Sequence, residues 1–126
     1  MACMNSALSS DLDNEKFRQE LKLYLVEFEK FLQQTLKPRT IYQHTLVVDA
    51  LIDFLCFDCN VSHFEEICRS MVCSRFRQWY CSNIADRTES QVNSSVKKFF
   101  SFLIFEKGII INKDILIGLK IKALSS

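Results

Sequence analysis

Residues 87 to 108 read Arg-Thr-Glu-Ser-Gln-Val-Asn-Ser-Ser-Val-Lys-Lys-Phe-Phe-Ser-Phe-Leu-Ile-Phe-Glu-Lys-Gly, and this stretch constrains the chain more than any other. Val92, Val96, Phe99 and Leu103 recur at i, i+4, i+7 and i+11, which stacks them into one apolar stripe at about 3.6 residues per turn. A helix with such a stripe must press it against a core. The opposite face collects Arg87, Ser90, Ser94, Lys97 and Ser101, flanked by Gln91 and Lys98. Carboxylates are sparse there: Glu89 falls towards the apolar side and Glu106 lies near the far end. A face of small hydroxyls and cations can lie close against an anionic surface; an ordinary solvated face is the alternative.

Turn chemistry is scarce. Two glycines and one proline among 126 residues leave too few punctuating positions for a meander of short strands, so an all-α fold is predicted: a four- to five-helix orthogonal bundle. With 48% hydrophobic residues the chain supports one compact domain. We expect residues 1 to 12 as a disordered lead-in, 13 to 122 as a single helical domain, and 123 to 126 as a tail or the start of a linker.

The formal net charge is +1, but it is unevenly spread. Residues 1 to 36 carry 4 Lys and Arg against 6 Asp and Glu, residues 37 to 85 carry 5 against 5, and residues 86 to 126 carry 7 against 4. The cationic excess thus falls in the last third, and it is small enough that any binding to nucleic acid should be weak without help. Six cysteines could suggest a disulfide framework, yet the N-terminus has no basic segment followed by an apolar run and a cleavage site. No apolar run approaches the roughly 20 residues of a membrane span. The expectation is a cytoplasmic chain with reduced thiols and no membrane partner.

Along the chain, Asp13 is an N-cap candidate for a first helix in which Phe17, Leu21, Tyr24 and Phe28 line the core side, ending near Thr35. Its other face, with Lys16, Glu20, Lys22, Glu27, Glu29 and Lys30, has mixed sign. Lys37-Pro38-Arg39-Thr40 breaks the pattern, because proline disfavours helix at the residue before it. A second helix follows with Ile41, Val48, Ile52 and Leu55 inside and Arg39 and Gln43 as its polar outward side chains. Residues 62 to 69 read as a connector. Val72, Phe76 and Trp79 mark a third helix ending near Asn83, and Gly108 is placed to end the fourth as a left-handed cap. The apolar tail around Ile109 to Ile111 and Ile115 to Leu119 should pack on the domain.

Cys56-Phe-Asp-Cys59 with His63 and Cys68 could be read as a zinc site, but a second Cys-x-x-Cys pair is missing and apolar packing accounts for the cysteines. There is no Gly-rich phosphate loop, no His-Glu-x-x-His and no Gly-x-Ser-x-Gly, and only His44 and His63 could serve as acid or base. No metal, no cofactor, no small-molecule substrate and no free-standing enzymatic activity are expected.

The order of features from Phe28 onward resembles the N-terminal core-binding (SAM-like) domain of tyrosine recombinases and phage integrases, over roughly residues 14 to 122. Pro38-Arg39-Thr40-Ile41-Tyr42-Gln43-His44, then Val48, Leu51, Phe54 and Leu55, stand where that family has Thr-Ile-x-x-Tyr followed by an apolar helix. Thr88, then Asn93-Ser94-Ser95-Val96-Lys97-Lys98-Phe99-Phe100-Ser101-Phe102-Leu103, then Gly108-Ile109-Ile110-Ile111-Asn112, stand where it has its second block. His44 replaces the usual Tyr, Asn93 a Leu, and Lys113 the Pro of an Asn-Pro step. The Arg, His-x-x-Arg and Tyr of the family's catalytic domain are absent, and the sequence stops where the linker to that domain would begin. The resemblance implies a domain that grips double-stranded DNA during site-specific recombination, with self-association through the first and last helices. It assigns DNA contact to Lys37, Arg39, Thr40 and Gln43 from the second helix and to Arg87, Thr88, Gln91, Ser94, Lys97 and Lys98 from the fourth. The competing reading is a helical protein-interaction module that uses the first helix, the apolar tail, or exposed Phe54 and Phe105.

Overall fold

The computed structural model describes residues 2 to 83 and 88 to 122, with side chains from residue 12 onward. Among the described residues the fold is all-α, with five α-helices and no strand. Helix α1 spans Ala2–Leu32. It therefore begins well before Asp13, the N-cap candidate. The physical reason is the absence of any glycine or proline before Pro38, so nothing interrupts a helix once it has nucleated.

Lys37 is extended (φ −76°, ψ 152°), as a residue before proline should be, and Pro38 opens helix α2, Pro38–Asp53. The helix runs on through a wider turn, Phe54–Asp58, in which the Cys59 amide donates to the Phe54 carbonyl at 3.0 Å. The continuous helix Pro38–Asp58 has 21 residues and a mean hydropathy of 1.2 over its most apolar window, enough by length and composition alone to cross a bilayer. It is not an unbroken apolar run, since Arg39, Asp49, Asp53 and Asp58 lie within it. A core helix meets the same test, and α2 is packed between α1 and α4 with Val47, Val48, Leu51 and Ile52 fully buried.

The connector contains one short turn, Phe64–Glu66, whose Glu66 carboxylate accepts from the Ser62 and His63 amides at 2.6 and 3.1 Å. A second wide turn, Met71–Arg75, leads into α3, Phe76–Asn83. Helix α4 spans Glu89–Phe105 and α5 spans Lys113–Leu119. Gly108 has φ +68° and ends α4 as expected, with the Ile109 amide closing back on the Leu103 carbonyl at 2.9 Å.

The α4 stripe is the centre of the core: Val92 and Val96 are 0% exposed, Leu103 1% and Phe99 2%. Phe28 of α1, also fully buried, meets Phe99 and Phe102 with ring centroids 5.3 and 5.5 Å apart. Phe100 and Phe102 are buried too, so α4 is enclosed over more of its circumference than one stripe. Tyr24 and Trp79, expected inside, are only partly buried at the edge of the core. Phe54, expected as an exposed docking residue, is buried: α3 crosses it, with Phe76 and Trp79 rings 5.6 and 5.2 Å away. Phe105 is exposed. The tail packs as predicted, with Ile111, Ile115, Leu119 and Ile121 buried. A methyl added at Gly118 would meet the Cys73 Sγ at 2.7 Å, so this glycine lets α5 approach the turn before α3.

Polar side chains lock the register. Arg18 donates to Asp53 at 3.0 Å, and Lys22 reaches both Asp49 and Asp53, so moving forward on α1 means moving back on α2 and the two helices are antiparallel. Asp49 and Asp53 were not foreseen as outward polar groups of α2; they face cations of α1. These pairs are substantially solvated and each contributes about 0 to 1 kcal/mol. Buried Asn14 donates its side-chain amide to the Val61 carbonyl at 2.7 Å, tying α1 to the connector. Leu103→Ala should cost about 2 to 5 kcal/mol in a denaturant melt, because it opens a cavity under the whole bundle. Ser94→Ala, on the exposed face of the same helix, should stay within about 0.5 kcal/mol.

Candidate nucleic-acid interface

The two segments singled out as DNA-facing are joined by a hydrogen bond that the sequence did not announce. His44 Nδ1 and Ser95 Oγ lie 2.7 Å apart across the contact between α2 and α4. Ser95 is 1% exposed, and its hydroxyl also approaches the Gln91 carbonyl at 3.5 Å. The signal for Ser95 was its phase: three residues after Val92 and four before Phe99, it falls on the buried arc. In the sequence His44 reads as one of two possible acids or bases and as a departure from a family pattern. Thr40 sits one turn before His44, beside the same seam.

The chain leading into α2 also meets the outer face of α4. Phe28, Phe31, Leu32, Thr35 and Leu36 form one side of a groove of about 470 Å³, and Ser94, Lys97, Lys98 and Ser101 form the other. Leu36, two residues before α2, is the last residue on that side, so the turn leading into α2 and the cationic face of α4 line one groove. A second, smaller groove of about 240 Å³ lies between α4 and α5, where Asn93, Ser94 and Lys97 face Gly118, Leu119 and Lys120. Ser94 and Lys97 thus form a ridge with a groove on each side. The Asn93 Oδ1 atom is buried without a hydrogen-bond partner in this region.

Individually, Lys37, Arg39, Ser94, Lys97 and Lys98 are exposed, and Thr40 and Gln43 are half-exposed. Among the described residues Lys37, Arg39, Lys97 and Lys98 join no ion pair, whereas Arg18, Lys22, Arg77 and Lys107 are each held by a carboxylate. Helix α2 has no side-chain cap, so the amides of Arg39 and Thr40 at its first turn point outward at the positive end of the helix dipole. The start of α4 differs. Thr88 and Gln91, both expected to touch DNA, cap each other: the Gln91 amide donates to Thr88 Oγ1 at 3.2 Å and the Thr88 amide to Gln91 Oε1 at 3.1 Å. What remains for a ligand is the Thr88 hydroxyl hydrogen and the Gln91 Nε2 amide. Arg87 lies outside the described residues.

Cys56, Cys59, Cys68, Cys73 and Cys81 are free thiols, and among the described residues no three His, Cys, Asp or Glu side chains gather in a metal-binding arrangement. Burial pushes the Cys56 thiol up to about 11, and burial also raises Cys59 and Cys73. Cys68 moves the other way, because the Ser70 hydroxyl 3.4 Å away stabilises its thiolate. Thiol labelling near neutral pH should therefore modify Cys68 well before Cys56, with Cys56 reacting only as the chain unfolds; peptide mapping over a labelling time course checks the order.

No family model matches the chain, and no curated protein or solved structure matches it either.

Proposed function

We propose that this chain binds double-stranded DNA through the start of α2 and the outer face of α4, as the core-binding part of an integrase-like tyrosine recombinase. The observation that carries the reading is the groove in which Thr35 and Leu36, just before α2, face Ser94, Lys97, Lys98 and Ser101 of α4, with no carboxylate among its lining residues. On this reading Lys97 and Lys98 meet phosphate oxygens, and the hydroxyls of Ser94 and Thr40 add hydrogen bonds to the backbone. The uncapped amides of Arg39 and Thr40 offer a further phosphate contact, since a helix start favours anions. Arg39, Gln43 and the free Nε2 of Gln91 are long enough to reach base edges in the major groove. Thr88 serves chiefly to cap α4.

A second reading, a protein-interaction module, is favoured by a different surface. Leu23 and Val26 of α1 and Tyr42 and Leu46 of α2 are between 43% and 68% exposed. Given the antiparallel register set by Lys22 and Asp49, Val26 and Leu46 lie side by side on the outside of the helical hairpin. The near-neutral net charge also suits this reading.

Salt-dependent binding separates the two. The isolated chain should bind duplex DNA weakly, in the non-specific range of roughly 10⁻⁴ to 10⁻⁶ M at physiological salt. Replacing Lys97 and Lys98 by Ala should flatten the slope of log affinity against log salt by about 1 to 2 units, since each phosphate contact releases roughly one counterion. Replacing Gln43 or Gln91 should leave that slope unchanged. Titration of a fluorescent duplex at several salt concentrations is the measurement. Absence of binding at low salt, or a slope that responds to Lys16→Ala and Lys30→Ala on α1 instead, contradicts the proposal.

A further inference from the structure

The groove between the end of α1 and α4 has a property that a closed duplex would leave unused. Phe31, Leu32 and Leu36 give it an apolar floor, while Lys97, Lys98 and three hydroxyls stand along its rim. Its volume of about 470 Å³ falls within the roughly 300 to 1,000 Å³ typical of small-ligand clefts. Closed duplex DNA presents phosphates, sugars and base edges, and keeps the flat base faces stacked inside. An unpaired nucleotide exposes a flat apolar face next to its own phosphate, and aromatic side chains are the usual receptors for such a face.

Phe31 is suited to that role. It is half-buried, and contact with the Phe102 ring, centroids 5.3 Å apart, holds it in place. On the facing wall Ser94, Lys98 and Ser101 recur at i, i+4 and i+7, a run of donors about 10 Å long. A line of donors matches the repeated oxygens of a sugar-phosphate chain, whereas a fatty acid has a single anionic end. We infer that this groove accepts one unpaired nucleotide, its base against Phe31 and Leu36 and its phosphate at Lys97 or Lys98, so that the chain prefers DNA with a single-stranded tail or gap over closed duplex. The inference rests on the DNA-binding reading and narrows its ligand.

The test compares, by fluorescence anisotropy with the full chain, a blunt duplex and the same duplex carrying a short unpaired tail. The tailed duplex should bind about tenfold more tightly, the scale of one base stacked on an aromatic ring. Phe31→Leu keeps an apolar side chain but removes the ring, and should abolish this gain while leaving affinity for the blunt duplex in place and lowering the thermal midpoint by only a few degrees. Thr35→Glu at the exposed rim is the second variant, chosen because an exposed position does not threaten folding; it should weaken the tailed duplex more than the blunt one. Equal affinity for tailed and blunt DNA overturns the inference and leaves duplex binding standing. Binding to neither overturns both readings. Uptake of oleate without any preference for the tailed duplex overturns it in favour of a lipid-anion groove.

Discussion

The structure depends on the burial of one face of α4. Val92, Val96, Phe99 and Leu103 form its buried stripe, Phe28 of α1 meets Phe99 there, and α2 and α3 also pack on α4. Burying side chains of this size is worth about 1.5 to 3 kcal/mol each, so the stripe outweighs the solvated ion pairs between α1 and α2. The ion pairs determine register; the stripe determines that there is a bundle. With α4 enclosed over much of its surface, what it shows to solvent is narrow, and that narrow strip is where Ser90, Ser94, Lys97 and Lys98 stand.

Function follows from the same constraint. A central helix has few exposed positions, so the composition of those positions carries more meaning than it would on a peripheral helix. The hydrogen bond between His44 and Ser95 joins α2 to α4 just beneath the exposed strip, and it needs a buried hydroxyl that an apolar residue could not supply. The DNA-binding proposal rests on this joint surface and on its free cations, and the unpaired-nucleotide inference adds the apolar floor beside them.

Much of the fold was legible because its signals were local. The α4 stripe, the break at Pro38 and the left-handed cap at Gly108 each depend on residues within a turn or two, and each appears where the periodicity put it. The errors arose where a distant element decided the outcome. Phe54 reads as an exposed apolar residue on α2 alone, and only the crossing of α3, with Phe76 and Trp79 against its ring, buries it. Nothing local marks Asn14 as a buried donor; it is one because the connector carbonyl of Val61 comes back across α1. Asp49 and Asp53 became partners of α1 cations for the same reason. At the candidate site, the sequence picked out the exposed cations but not the capping role of Thr88 and Gln91, which was available in the Thr-x-x-Gln spacing, nor the groove formed with the end of α1, which no single helix encodes.

The central claim is that one surface, built from the start of α2 and the outer face of α4, meets DNA. The most direct measurement is a backbone amide NMR titration of the folded chain with a short duplex. The account predicts that the resonances moving most belong to residues 37 to 43 and 94 to 101, with those of Leu23, Val26 and Lys30 on α1 unmoved. Shifts concentrated on α1 and the Tyr42–Leu46 side of α2, or no shifts at low salt, would contradict it.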